Sequence, residues 1–324
     1  MTPNSQTLAE ELADEYIYAC CGKTTIDHLK HTLKQAIVEE IEQATESQTG
    51  EKQEQENKAR HDRIFTALFK RLEPHEAKFA DMLKGVWEKE RKIIISNLKK
   101  LKKSYSPTIQ KDPEDKVDQI LYPTAEFEAE LSAEARALFI LIMDETGQAE
   151  LESLGIEIAF DVHNPEITKW LDEYTPMFSK KLEEVNIDKL RRELIEGLEK
   201  GENIRKLSER VNNTYANWNK VRSETIARSE TIRASNAAHK FSYIQSGVVE
   251  KIEWISFLDF RVCPWCEELD GKIIGVRENF FELGDSMTVE VDGKKQTMDF
   301  TYTEIGYPPA HSMCRCTISA YFEE

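Results

Sequence analysis

Four of the six cysteines fall within about the last sixty residues, where Cys263-Pro264-Trp265-Cys266 is answered by Pro308-Pro309-Ala310-His311-Ser312-Met313-Cys314-Arg315-Cys316. A C-x2-C pair followed far downstream by H-x2-C-x-C offers five soft or borderline donors: Cys263, Cys266, His311, Cys314 and Cys316. A tetrahedral zinc ion takes four such donors. Closing its shell from two segments more than forty residues apart would turn binding energy into folding energy.

Other chemistry is open to the same cysteines. A redox dithiol wants a helix N-terminus just after a strand, which lowers the thiol pKa; Glu267 and Glu268 follow at once here and are expected to raise it. A disulfide framework belongs to secreted chains, and no secretory leader is seen in this sequence. Plain packed thiols are the third alternative. Cys20 and Cys21 are adjacent and read as ordinary reduced cysteines.

The elements that must position these donors are mostly helical. With 324 residues the chain can build two or three packed units. Residues 1–43 read as an N-terminal helical segment, with Leu8, Leu12, Tyr16 and Ile17, then Ile26, Leu29, Leu33, Ile37 and Ile41, at three- and four-residue steps. Gly22-Lys23-Thr24-Thr25 lacks the leading glycine and preceding strand of a phosphate loop, so Thr25 reads as an N-cap. Residues 44–60 are polar, a linker or a solvated helix extension. Residues 61–123 form a helical arm with an expected break at Pro74, a basic end at Lys99–Lys103 and a proline-containing connection. A basic helix end complements the helix dipole; contact with DNA or an acidic partner is the alternative.

Residues 124–247 form a second helical part. Ala125–Leu141 and Gln148–Leu154 are helix-like, Asn164-Pro165-Glu166 starts another helix, and Leu190–Leu198 forms one that Gly201 stops. Asn203–Tyr215 follows. Trp218–Gln245 is then long and continuous, with Val221, Ile226, Ile232, Ala237 and Phe241 available for burial and Gly247 at its end. Arg228, Glu230 and Arg233 are expected to make surface or interhelical ion pairs. In residues 248–324 the period changes to two around Val249–Ser256, Val289–Lys294 carries an Asp-Gly hairpin turn, and Thr317–Phe322 can close the sheet. The predicted fold is α+β: helical N-terminal and middle parts, and a long helix leading into a small antiparallel β module with the Cys/His site.

The net charge of −17 argues against a general nucleic-acid coat, because counterion release needs basic side chains on phosphates. No apolar run approaches a membrane span, so no membrane partner is expected.

Ala227-Arg228-Ser229-Glu230, Trp254, Asp259 to Cys266 with Leu269-Asp270-Gly271, and Pro308 to Cys316 occur together in an order and spacing that resemble the phage Mu protein F family. Phe160-Asp161 with Asn164-Pro165 and the Gly201-Glu202-Asn203 break look like that family's helical half, so the resemblance covers roughly residues 120–320. Ser312 departs from it, standing where the family commonly has proline. The resemblance implies a structural minor head protein of a tailed phage or prophage, located in the virion. It implies portal, major capsid or scaffold proteins as partners and packaged phage DNA as a further contact.

The competing class is an enzyme using the Cys/His site as a thiol oxidoreductase or zinc-dependent hydrolase. Catalytic zinc keeps an open position and a nearby carboxylate base. Here the donors suffice to close the shell, and Asp259, Glu267 and Asp270 are expected to be turn and surface residues. No Ser-His-Asp order, glycine-rich phosphate loop or H-E-x-x-H occurs, so no catalytic residue is assigned.

Overall fold

The computed structural model describes residues 23–104, 113–301 and 303–323, with side chains from residue 55 onward. The Leu8–Ile17 helix, Cys20 and Cys21 lie outside the described residues, as do the side chains of Lys102 and Lys103. The chain divides into two compact units within its first helix, residues 1–64 and 65–324.

Helix α1 spans Lys23–Ser104 without interruption. Thr25 therefore lies inside it and not at its cap, the polar stretch 44–60 is helical, and the break expected at Pro74 does not occur. A proline removes one backbone hydrogen bond and crowds the preceding turn. Here Phe65, Leu68 and Leu72 before it and Phe79, Leu83 and Val86 after it are all buried in one core. Burial worth about 1.5–3 kcal/mol per large side chain outweighs that local cost.

Three helices follow: α2 at Pro113–Ile120, α3 at Thr124–Ser153 and α4 at Pro165–Glu199. Helix α3 joins two segments that the sequence suggested were separate, and α4 likewise runs through Pro176 to join two. In α4 the buried residues Ile167, Leu171, Phe178, Leu182, Leu190 and Leu194 keep one stripe along the whole length, which is why packing overrides the proline. Its N-cap Asn164 accepts from Glu166 N at 2.9 Å. Gly147 inside α3 has a packing reason, because a Cβ there would sit 2.6 Å from the Phe160 ring.

Helix α5, Ile204–Asn217, is capped by Asn203. It leads into a π-helical turn at Trp218–Arg222 and then α6 at Ser223–Ser246. The continuous helix expected from Trp218 is thus preceded by a widened turn, and Val221 on that turn is 54% exposed, not buried. Gly247 ends α6 at φ 68°, the left-handed conformation suited to glycine. Helix α6 packs on α3 and on the β module.

The module follows. Strand β1, Lys251–Ile255, is central in a three-stranded antiparallel sheet of order β2-β1-β5, with β2 at Ile273–Gly275 and β5 at Thr317–Tyr321. Trp254 faces Ile318 and Ile252 faces Ala320 across β1 and β5. Strands β3, Ser286–Val291, and β4, Lys294–Asp299, form a separate hairpin. Its Asp292-Gly293 turn has both φ values positive, 51° and 72°, as a type I′ turn requires. Between β1 and β2 lies α7, Pro264–Leu269, a helix not anticipated from the sequence. Trp254, Ile252, Phe300, Ile305 and Ile318 make the core that carries the cysteines.

Candidate metal centre

Cys263 is the N-cap of α7, with Pro264 at the first helical position, and its Sγ accepts from Cys266 N at 3.3 Å. This capped turn is what lets both sulfurs of the C-x2-C pair face one point. Cys266 is buried and Cys263 half-buried.

The second set of donors arrives from the loop before β5. His311 Nε2 lies 3.1 Å from Cys263 Sγ and 3.2 Å from Cys266 Sγ. Its Nδ1 is 2.8 Å from the Ser312 carbonyl oxygen, which can only accept, so Nδ1 carries the hydrogen and the Nε2 lone pair faces the two sulfurs. That is the tautomer a metal-ligating imidazole uses. Met313 takes φ 64°, a left-handed step that turns the chain toward Cys314. Cys314 Sγ lies 3.7 Å from Cys266 Sγ, and Cys314 and Cys316 are each 2% exposed.

The five donors form two triads that share Cys266: Cys263–Cys266–His311 and Cys266–Cys314–Cys316, each with its ligand atoms within 4.8 Å of one another. A cavity of about 30 Å³ opens among all five, also lined by Phe257, Val262 and Arg315. The donor atoms, their mutual distances and the His311 lone pair suit a metal ion.

The electrostatics express the same crowding. The Cys263 thiol is drawn down to about 4, first by the Cys266 side chain and then by the His311 ring and the Cys266 N–H beside it. Cys266 is pushed up, because the sulfurs of Cys263, Cys314 and Cys316 surround it. Burial would lower His311, but the Cys263 sulfur beside it overrides that and raises it. The expectation that Glu267 and Glu268 would hold the Cys263 thiol high does not hold: both point into solvent, where water screens their charge. Several sulfurs cannot ionise together at this spacing without a cation among them.

Residues to which the sequence assigned no role at the site support the donors. Asp259 receives Arg315 Nη1 at 3.0 Å and Nη2 at 2.5 Å, tying the loop before Cys263 to the C-x-C segment. Asp270 Oδ1 accepts from Ser256 N at 2.7 Å, and Ser256 Oγ donates to the Cys266 carbonyl at 2.5 Å. Asp259 and Asp270 are thus occupied as loop ties, as expected of turn residues. Beneath the site, Asn236 Nδ2 donates to the Cys316 carbonyl at 3.1 Å, and Thr317 Oγ1 donates to Asn236 Oδ1 at 2.7 Å. Lys240 Nζ donates to the Glu278 and Gly306 carbonyls at 2.7 and 3.3 Å. Polar residues at 236, 239 and 240, on the otherwise small-residue face of α6, were the available signal.

The set Arg228, Glu230 and Arg233 makes ion pairs: Arg228 with Glu76 of α1 at 3.3 Å and Arg233 with Glu230 at 3.6 Å. Glu230 is buried and accepts from Tyr174 OH at 2.6 Å. Lys99 and Lys100 are exposed at the C-terminal end of α1. Among the described residues no helix is long and apolar enough to cross a membrane.

Residues 188–319 match the family model described as Phage Mu protein F like protein, a stretch that contains all five donors. The uncharacterized protein YqbB of Bacillus subtilis (strain 168) is 27% identical over 176 residues, a match that covers 52% of this chain and 56% of that relative. The chain thus aligns to little more than half of that protein's length. No solved structure matches the chain.

Proposed function

Because residues 188–319 match the family model described as Phage Mu protein F like protein, we propose that the chain is a structural minor head protein of a tailed phage or prophage, acting in head morphogenesis near the portal. The observation that carries this reading is the coincidence of the matched stretch with α5, α6 and the Cys/His module. Its partners on this reading are the portal protein and major capsid or scaffold proteins, with packaged DNA as a secondary contact through the lysines ending α1. Its place is the head interior or portal vertex of the virion.

Within that role the Cys/His module is a staple for one structural zinc ion. A thiolate-rich set with one imidazole prefers zinc over magnesium or calcium. Five donors supply the four that a closed tetrahedral shell needs, leaving no open position for substrate. The thiol-exchange alternative rests on one observation, the placement of Cys263 at a helix N-cap beside His311, a setting that lowers its thiol pKa.

The test is co-sedimentation of tagged chain with procapsids and virions. Presence in particles at low copy number, lost when the chain is truncated before residue 188, supports the head role; absence from particles made with the gene intact overturns it. Elemental analysis of the purified reduced chain separates the two site chemistries. About one tightly held zinc favours the staple, while metal-free protein that exchanges with disulfide reagents favours the thiol reading.

A further inference from the structure

The head role leaves unused the polar centre of the helical part, where two carboxyl groups meet with water excluded. Glu90 of α1 and Glu183 of α4 are both 0% exposed, and their carboxyl groups lie close enough to act on each other. Every element packed around them contributes a polar or charged group. From the segment between α2 and α3, Tyr122 OH donates to Glu183 Oε2 at 2.8 Å. From α5, Tyr215 OH donates to Glu90 Oε2 at 3.0 Å. From α4 itself, Asn186 Nδ2 donates to Glu183 Oε1 at 3.2 Å. Glu128 of α3 adds a like charge facing Glu183.

The cation nearest this pair is committed elsewhere. Arg222, on the π-helical turn, donates to Asn186 Oδ1 at 2.5 Å, and its guanidinium lies 5.1 Å from the Trp218 ring centre and 5.8 Å from that of Trp87. Its hydrogen bond goes to Asn186, and the Glu183 and Glu90 charges act on it without a direct ion pair. Glu90 Oε1 is buried and no side-chain or backbone donor reaches it. Two ionised carboxylates have no hydrogen to place between them, and a buried acceptor without a donor is costly. One proton on the pair removes both difficulties.

We propose that Glu90 retains its proton in the folded chain and shares it with Glu183, so that the packing of α1 against α4 and α5 is a proton-dependent latch. Of the two, Glu90 is the carrier: burial first, and then the Glu183 charge, push it up to about 9. Glu183 is raised as well, chiefly by burial, but its hydrogen bonds from Tyr122, Glu90 and Asn186 favour its ionised form. A folded-state value above the ordinary carboxyl range means that the proton's contribution is complete below the unfolded value, near 4.3. It is lost as the pH rises through the folded value. Loss of the proton leaves two negative charges in a dry core, and the latch opens.

The test compares denaturant melts of the full wild-type chain, Glu90→Gln and Glu183→Gln from pH 6 to pH 10. Glutamine supplies a permanent N–H where the protonated carboxyl supplies O–H. The folding constant of the wild type should fall relative to that of Glu90→Gln by up to tenfold per pH unit. Near pH 9 the variant should equal or exceed the wild type. Parallel profiles for the two proteins overturn the proposal, as does a Glu90→Gln chain that is strongly destabilised at pH 6 while Glu183→Gln is not. A second measurement does not depend on Glu90→Gln or Glu183→Gln folding: the infrared signal of a protonated carboxyl at neutral pH, with isotope-labelled glutamate, in Glu230→Gln chain whose fold is verified by circular dichroism. Its presence supports the shared proton, and its absence overturns it.

Discussion

Arg315 grips both carboxylate oxygens of Asp259 across 56 residues of sequence. Its guanidinium also lies 4.6 Å from the ring centre of Phe257. This one fork joins the loop that ends in Cys263 to the loop that carries Cys314 and Cys316.

Arg315→Ala and Arg315→Lys should therefore both weaken metal retention, because lysine offers a point charge and no planar fork. The expected loss is about 10–100-fold in affinity, the range for supports of metal ligands. Competition with a chromophoric chelator measures it. The Asp259 carboxyl is held well below the ordinary range, first by Arg315 and then by Arg261. A carboxyl lowered in the folded state contributes stability above its unfolded pKa and loses it as the pH falls through the folded one. The tie should hold throughout the neutral range and fail only in strong acid.

Single substitution of Cys263, Cys266 or His311 should abolish stoichiometric metal. Cys266→Ser should do most damage, since Cys266 belongs to both triads. One of Cys314→Ser and Cys316→Ser should keep the ion, since a tetrahedral shell takes four of the five donors. Elemental analysis of each purified variant decides this. Protons compete with metal for thiolate and imidazole, so metal release should begin on acidification.

Asn236→Ala should cost about 1–3 kcal/mol, because it leaves the buried Cys316 carbonyl and Thr317 hydroxyl without their partner. Denaturant melts give the cost. Amide exchange should locate it in β5 and the C-x-C loop, with α3 and α4 unchanged. Equal deprotection of α4 would count against this assignment.

Gly147→Ala should destabilise although alanine is the better helix former. The added Cβ meets the Phe160 ring at 2.6 Å. Overpacking costs about 1–3 kcal/mol, against about 1 kcal/mol gained in helix propensity. Adding Phe160→Leu should recover part of the loss, which a double-mutant cycle in thermal melts would show.

The C-x2-C and H-x2-C-x-C clusters, the Asp292-Gly293 turn, the helix start at Asn164 and the Gly247 stop were legible in the sequence, because each is a pattern of chemistry or backbone geometry within a few residues. So was the change from helical to alternating period near residue 248. What the residues alone could not decide was set by contacts distant along the chain. Pro74 read locally as a break, yet a long buried stripe carries α1 through it, as another carries α4 through Pro176. Glu267 and Glu268 read as raising the neighbouring thiols, yet they face water while the helix N-cap and His311 act on Cys263. Asp259, Asp270, Asn236 and Lys240 looked like ordinary turn and helix residues until folding placed their partners beside them. Glu90 and Glu183 gave no hint of each other, being 93 residues apart. Their meeting depends on how α1, α4 and α5 pack, and only tertiary structure decides which polar groups share a dry core.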